Sequence, residues 1–552
     1  MTTERSPYYV TTPIYYVNDR PHIGHCYTTL VADVAARLAR LIGRDVFFLT
    51  GTDEHAEKVS KTAAERGHTP LEWADINAER FKQAFAQMNF SNDDFVRTTE
   101  DRHKAKATEY IQRLVDSGDI ELGDYSGWYD PSQEEYLTEN VAKEANFLSP
   151  VTGQPLEQRT EQNYFFRLDK YEAWLREQIE SDTVRVLPKA RKNEVMGRIK
   201  QGLNKVPVSR KIKEGDADWG IAMPGDPEHR IYVWIEALCN YLTVMDTPDR
   251  RQWWPKDAPL AVHLMAKDIL WFHAVIWPCM LHALGEQSPK TVYAHAYFIS
   301  EGRKMSKSLG NFIEIDLLEA YADRYSLDAV RWFLATQGPM GANDADFAYS
   351  RFVEVFNSDL ANGIGNATSR VGNMIAKYFG GSVPDPKGSD TLVPGEYDWP
   401  LIIKATVDQA LEYFDDLALD QAAKLGIDLA SKVDGYINVT EPFRLAKKLD
   451  EDPANTDKLA AILYHCAEAL RVATLLLAPA MPEKMAELWR TWSCNVLTDP
   501  ADANSPFVAP LAELAQWNGP HSLKPGQQVT KGAVLFMRAD ASEPAPEAAP
   551  VS

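Results

Sequence analysis

Residues 8–17, YYVTTPIYYV, are apolar on both faces of an extended chain, and residues 45–55, DVFFLTGTDEH, begin the same way. Between them Tyr27, Leu30, Val31, Val34, Leu38 and Leu41 recur at helical spacing, and Gly43 ends the run. A strand buried on both sides, a crossover helix and a second such strand make a βαβ unit, which requires a parallel sheet covered by helices. Ligands of such sheets bind at the carboxyl ends of the strands. His22, His25 and Asp53 all fall there.

At 552 residues the chain is too long for one ordinary core, and about 150 residues per domain suggests three or four units. From about 115 to 225 the pattern becomes irregular, as in an inserted subdomain. Apolar strands and helices resume in RIYVWIEALCNYL and TVYAHAYFIS, so the insertion splits the parallel sheet. Beyond about 350 the text is mostly helical and reads as an appended bundle. The last dozen residues, ASEPAPEAAPVS, lack the apolar content to pack and are expected to be disordered.

The turn at PHIGH places two imidazoles around a glycine where strand hands over to helix. A metal pair, an anion site and a plain helix cap are all compatible with that spacing. The helix N-terminus favours an anion, because its backbone N–H groups are unpaired and its dipole end is positive. Gly24 would let a flat base lie against the backbone. A second stretch, ISEGRKMSKSLGN, packs Arg303, Lys304 and Lys307 between Gly302 and Gly310. Three cations in so short a loop repel one another unless an anion joins them, and the flanking glycines permit movement; a solvated basic turn is the plain alternative.

HIGH at 22–25 and KMSKS at 304–308 together resemble the two signatures of the class I aminoacyl-tRNA synthetases, in the expected order around a split sheet. The resemblance implies that the histidines hold the triphosphate of ATP and that the lysines close over it. His22, His25, Lys304 and Lys307 would then be the catalytic set, with Gly24 beside the nucleotide. Further stretches, among them TTPIYYVNDRPHIGH, GTDEHAEK, YVWIEAL, KDILWFHAVIWP and LANGIGNATSRV, are similar to methionyl-tRNA synthetases over nearly the whole chain.

By that resemblance Ile14, Tyr16, Trp234, Leu238, Tyr241, Ile269 and His273 line a methionine pocket and Asp53 holds the substrate ammonium. A polarizable thioether favours aromatic edges, which agrees with the residue types. Asn366, Arg370 and Phe443 match residues that contact the anticodon, Phe443 standing where a tryptophan is usual. Ala266 stands where the family usually has a glycine near the adenosine, and Glu236 stands where an aspartate is usual. The insertion text GWYDPSQEEYLTENVAKEANFLSPVTGQP has none of the cysteines with which many relatives bind zinc, so no structural zinc is expected.

The implied activity is ligation of L-methionine to methionine tRNA through a methionyl-adenylate, with ATP entering as its Mg2+ complex. The implied fold is α/β: a Rossmann-like parallel sheet split by an insertion and followed by an α-helical anticodon-binding bundle. The expected division is a first catalytic half at 1–114, a connective subdomain at 115–225 and a second catalytic half at 226–298. A KMSKS and stem-contact region at 299–350, an anticodon domain at 351–500 and a tail at 501–552 complete it. Leucine, isoleucine and valine synthetases are disfavoured because the insertion is short for an editing domain. A cysteine synthetase is disfavoured by the missing zinc cysteines, and a catalytically dead paralogue by the intact motifs.

Composition fits these expectations. A net charge of −21 argues against sequence-blind adhesion to polyanions, although residues 189–213 carry nine Lys or Arg against one Glu. Cys26, Cys239, Cys279, Cys466 and Cys494 form no disulfide-framework spacing. With no signal-type stretch at the start and no apolar run long enough to span a bilayer, a cytoplasmic protein without membrane contact is expected. The lack of an extra oligonucleotide-binding domain points to a monomer.

Overall fold

The computed structural model describes residues 5–131, 135–137, 139–212, 217–305, 311–387, 396–449, 452, 454–498, 506–529 and 534–548. The apolar stretches form the expected βαβ unit: strand β1 (Pro7–Tyr16), helix α1 (Ile23–Leu41) and strand β2 (Asp45–Asp53). Strand β3 (Asp94–Arg97) lies outside β2, and Gly51 lets it approach, since a Cβ there would sit 2.0 Å from the Val96 carbonyl oxygen. On the other side of β1 come Val262–Ala266, Thr291–His295 and Arg185–Leu187. Every pairing in this six-stranded sheet is parallel. The order runs outward from β1 in both directions, so the crevice at the switch point opens above Tyr16, Asp53 and Ala266.

The edge strand Arg185–Leu187 comes from inside the stretch 115–225 that the sequence assigns wholly to an insertion. The chain in fact leaves the parent sheet, returns to add this edge, and leaves again. Three residues are too few for a periodic signal. The insertion proper is an antiparallel sheet of Ile120–Asp130, Glu135–Leu137, Glu157–Phe166 and Val206–Pro207, with a smaller sheet of Ser209–Lys211, Ala222–Met223 and Asp226–Ile231. At its tip Leu137, Ala142, Leu156 and Trp128 form a separate small apolar cluster.

The helical region shares its core with α1 and is not loosely appended. Arg331, fully buried on the helix Leu327–Gln337, explains the join. Its guanidinium donates to Asp33 of α1 at 2.6 Å, to the Met88 carbonyl at 2.9 Å and to the Ala480 carbonyl at 3.0 Å. Helix Ala454–Leu477 is long and apolar enough to cross a bilayer, which the sequence reading overlooked. All of its apolar window is buried, however, and it is the central helix of the bundle.

The stretch 501–552 is not simply a tail either. Leu511, Leu514, Leu523, Val529, Leu535 and Phe536 are buried in the main core. The anchors fall in short apolar pieces, LAEL at 511–514 and VLFM at 534–537, separated by polar, Pro and Gly residues, so no sustained period marks them. Residues 541–548 form no helix or strand, and Arg324 donates to the Pro544 carbonyl at 2.6 Å; residues 549–552 lie outside the described residues.

Candidate active site

His22 is the N-cap of α1, and the HIGH turn is a capping box built from two histidines. The Gly24 N–H donates to His22 Nδ1 at 3.0 Å, and the His22 N–H donates to His25 Nδ1 at 3.3 Å. An imidazole nitrogen that accepts carries no proton, so each neutral ring is protonated on Nε2. The rings stack with centroids 3.8 Å apart. Burial, and then the adjacent His22 ring, push the His25 imidazole well below the usual histidine range. His25 is therefore a neutral donor at pH 7. Gly24 has a reason beyond access for a base: a Cβ there would lie 2.8 Å from His22 Cε1. The glycine is what lets the His22 ring fold over the first turn.

The second motif is tied to the same turn. Lys304 lies exposed on the short strand Arg303–Lys304, paired with Ile299, and its carbonyl accepts from the Asn311 side chain at 3.2 Å. Lys307, with the rest of 306–310, lies outside the described residues. Directly after it the chain runs against the HIGH turn. Phe312 meets the His22 ring edge-on at 4.9 Å, the Ile23 N–H donates to the Ile313 carbonyl at 2.9 Å, and the backbones of His22 and Glu314 pair as an isolated antiparallel bridge. Arg20 forks onto Asp316 at 2.8 and 2.5 Å.

The residues assigned to methionine gather around the ends of β1 and β2. Asp53, 2% exposed, ends β2 opposite Tyr16 of β1. Trp234 meets Tyr16 edge-on at 5.7 Å and stacks on Phe272 at 4.4 Å. Leu238 and Tyr241 follow on the same helix, Val233–Thr243, and share an apolar cluster with Ile14 and Ile269. His273 is held in one orientation because its Nδ1–H donates to the Ile269 carbonyl at 2.9 Å. Its Nε2 then accepts from the Tyr241 hydroxyl at 2.7 Å. Burial lowers the His273 pKa to about 4 and so keeps it an acceptor. His273 sits in a single π-turn, Phe272–Ile276, an insertion common at functional sites.

Sequence reasoning passed over Phe272, His55 and His295. His295 ends Thr291–His295, pairs in register with Ala266, and lies 2.8 Å from Thr28 of α1 through Nε2. A lone histidine in an apolar strand gives little signal, although its position at a strand's carboxyl end does. Lys267, next to Ala266, donates to Asp344 at 2.7 Å. Among the described residues no group of three or more His, Cys, Asp or Glu is placed to hold a metal.

The anticodon candidates sit apart on the bundle. Asn366 begins the helix Asn366–Phe379, and Arg370 one turn later donates to Asp434 at 2.6 Å. Phe443 is 41% exposed, beside the left-handed Glu441 (φ 44°) that separates Leu419–Thr440 from Pro442–Leu445.

Residues 8–145 and 142–372 match the family model for class I tRNA synthetases of the methionine type. The methionine–tRNA ligase of Streptomyces coelicolor is 38% identical over 543 residues, covering 96% of both chains. That of Bacillus subtilis is 40% identical over 508 residues, covering 88% of this chain and 73% of its own. The structure of Mycobacterium tuberculosis methionyl-tRNA synthetase in complex with methionyl-adenylate superposes with a TM-score of 0.83 at 32% identity, over 96% of this chain and 99% of that one.

Proposed function

The chain belongs to the class I methionyl-tRNA synthetases, which activate methionine with ATP and charge tRNA, and from that premise we propose which of its residues carry each step. Methionine enters between Tyr16, Trp234 and Tyr241, its thioether against Ile14, Leu238, Ile269 and His273, its ammonium on Asp53. A methionine carboxylate oxygen attacks the α-phosphorus of Mg-ATP, the bond to the bridging oxygen breaks, and pyrophosphate leaves. A ribose hydroxyl at the tRNA 3′ end then attacks the acyl carbon of the adenylate, and AMP departs.

Neither step needs a protein nucleophile. What the site must supply is alignment and charge compensation at the phosphates. The Nε2–H groups of His22 and His25 donate to phosphate oxygens beside Gly24, and Lys304 and Lys307 neutralise the leaving pyrophosphate. The single observation that carries this reading is the antiparallel backbone bridge between His22 and Glu314, in which the Ile23 N–H donates to the Ile313 carbonyl. It anchors the end of the basic loop on the turn that would hold the triphosphate.

Asn366, Arg370 and Phe443 read the anticodon. The catalytic halves are 1–114 and 226–298, with 115–225 largely connective, 299–350 facing the stem and 351–500 facing the anticodon. The enzyme works as a cytoplasmic monomer without structural zinc or membrane contact. Exchange of labelled pyrophosphate into ATP, run across the amino acids, tests the assignment. Methionine alone should support exchange; support by leucine or cysteine instead would overturn it.

A further inference from the structure

Glu236 lies within the helix that carries Trp234, Leu238 and Tyr241, yet it does not face the aromatic pocket. It is fully buried, and each carboxylate oxygen meets a different histidine. Oε1 is 2.7 Å from His55 Nδ1 and Oε2 is 3.1 Å from His103 Nε2. His103, also fully buried, reaches back to the Thr243 hydroxyl at the far end of the same helix, 3.1 Å away. Burial alone would raise the Glu236 pKa, but the two histidines outweigh it and hold the carboxyl below its ordinary range.

His55 stands two residues beyond Asp53, in the segment Thr52–Asp53–Glu54–His55 that leaves β2. Glu54 is fixed as well: Arg97 of β3 donates to both of its oxygens, at 2.7 and 3.0 Å, and the Trp219 indole donates to its carbonyl at 2.7 Å. Asp53 is thus followed directly by one residue bound to β3 and then by one bound to Glu236.

A buried carboxylate is a poor choice if packing is all that is required, because desolvation offsets most of its attraction and an apolar side chain of similar volume does as well. What a bidentate bridge supplies is a fixed distance between the elements it joins. We propose that Glu236 is a positioning residue for methionine: through His55 it holds the pocket helix Val233–Thr243 in register with Asp53, while His103, on the helix Asp101–Asp116, steadies that pocket helix from its other side. The ammonium site and the thioether site belong to these two separate elements, so a shift between them weakens methionine without touching the ATP site on α1. This inference rests on the assignment of Asp53 and the pocket helix given above.

The test compares KM for methionine and for ATP in pyrophosphate exchange, on variants whose fold is checked by circular dichroism. Glu236→Ala removes the bridge and should raise KM for methionine about tenfold, the worth of one hydrogen bond to a charged group, with KM for ATP and kcat little changed. Glu236→Gln keeps an acceptor for His55, and its amide N–H can donate to His103 Nε2 once that ring carries its proton on Nδ1, toward the Thr243 hydroxyl; it should stay near wild type. If Glu236→Ala does not fold, His55→Ala cuts one arm at the rim and should raise KM for methionine about threefold. An unchanged KM for methionine in a folded bridge-cutting variant overturns the proposal. So does a parallel rise of both KM values, or a Gln variant as impaired as Ala. Asp53→Asn is the control: if it leaves KM for methionine unchanged, the underlying site assignment has failed, not the bridge.

Discussion

Gly24 is small because the His22 ring is folded over it, and that separates its role in function from its role in stability. Alanine is the better helix former by roughly 0.5–1 kcal/mol, and the first turn of α1 has no left-handed backbone to protect. The added methyl would meet His22 Cε1 at 2.8 Å and Nδ1 at 3.1 Å, so the ring must swing away. Gly24→Ala should therefore leave the thermal midpoint nearly unchanged, the gain in helix propensity being offset by loss of the His22 Nδ1 cap on the Gly24 N–H. Pyrophosphate exchange should fall roughly 10- to 100-fold, the cost of displacing a phosphate donor by about an ångström. A variant that loses stability and activity together would mean that Gly24 serves the fold. The motif's residue types and spacing were legible in the sequence, but by themselves they left a metal pair, an anion site and a helix cap open, and the family resemblance chose among them. The reciprocal use of both Nδ1 atoms was not legible, since rotamer and tautomer are set by the folded turn.

Elements are joined in this protein by buried charges whose partners are distant in sequence. Asp328, near the start of Leu327–Gln337, accepts the Lys484 N–H at 2.6 Å and so caps the helix Pro482–Thr491 from outside. Burial pushes its pKa up to about 6, against the opposing pull of that hydrogen bond and of Arg331. A carboxyl whose pKa is higher folded than unfolded adds stability that is fully present below about pH 4. The contribution is lost as pH rises through about 6. At most it amounts to about 3 kcal/mol. Asp328→Asn keeps an acceptor for Lys484 and does not titrate. Its thermal midpoint, measured relative to wild type, should rise between about pH 4 and pH 6 and level off above about pH 7; a difference independent of pH would show that Asp328 does not titrate there. The same remoteness limited the sequence reading. α1 and the two apolar strands follow from nearest-neighbour pattern, whereas Arg331 to Asp33 and Glu236 to His55 join segments that no local period connects.

At the scale of the whole molecule, the catalytic crevice and the candidate anticodon face are linked through one continuous core, so the two functions must be separated by assay and not by dissection. Phe443 is the residue to use. An aromatic ring 41% exposed is poorly explained as core packing, and the turn that presents it is rigid: Glu441 is left-handed, Pro442 is buried, and Arg444 returns to Glu441 at 3.0 Å. A preset, exposed π-face suits a base splayed out of the anticodon loop. It offers less area than the tryptophan usual in the family and no indole donor. Phe443→Ala should weaken tRNA aminoacylation by roughly 1–3 kcal/mol of lost stacking, read as kcat/KM for tRNA. Methionine-dependent pyrophosphate exchange without tRNA should stay at the wild-type rate, because no residue of the HIGH turn or the methionine pocket lies on this turn. Phe443→Trp should be tolerated, since it restores the larger ring. Equal loss in both assays would place Phe443 in the packing that supports the crevice, and no loss in either would assign anticodon recognition to other residues.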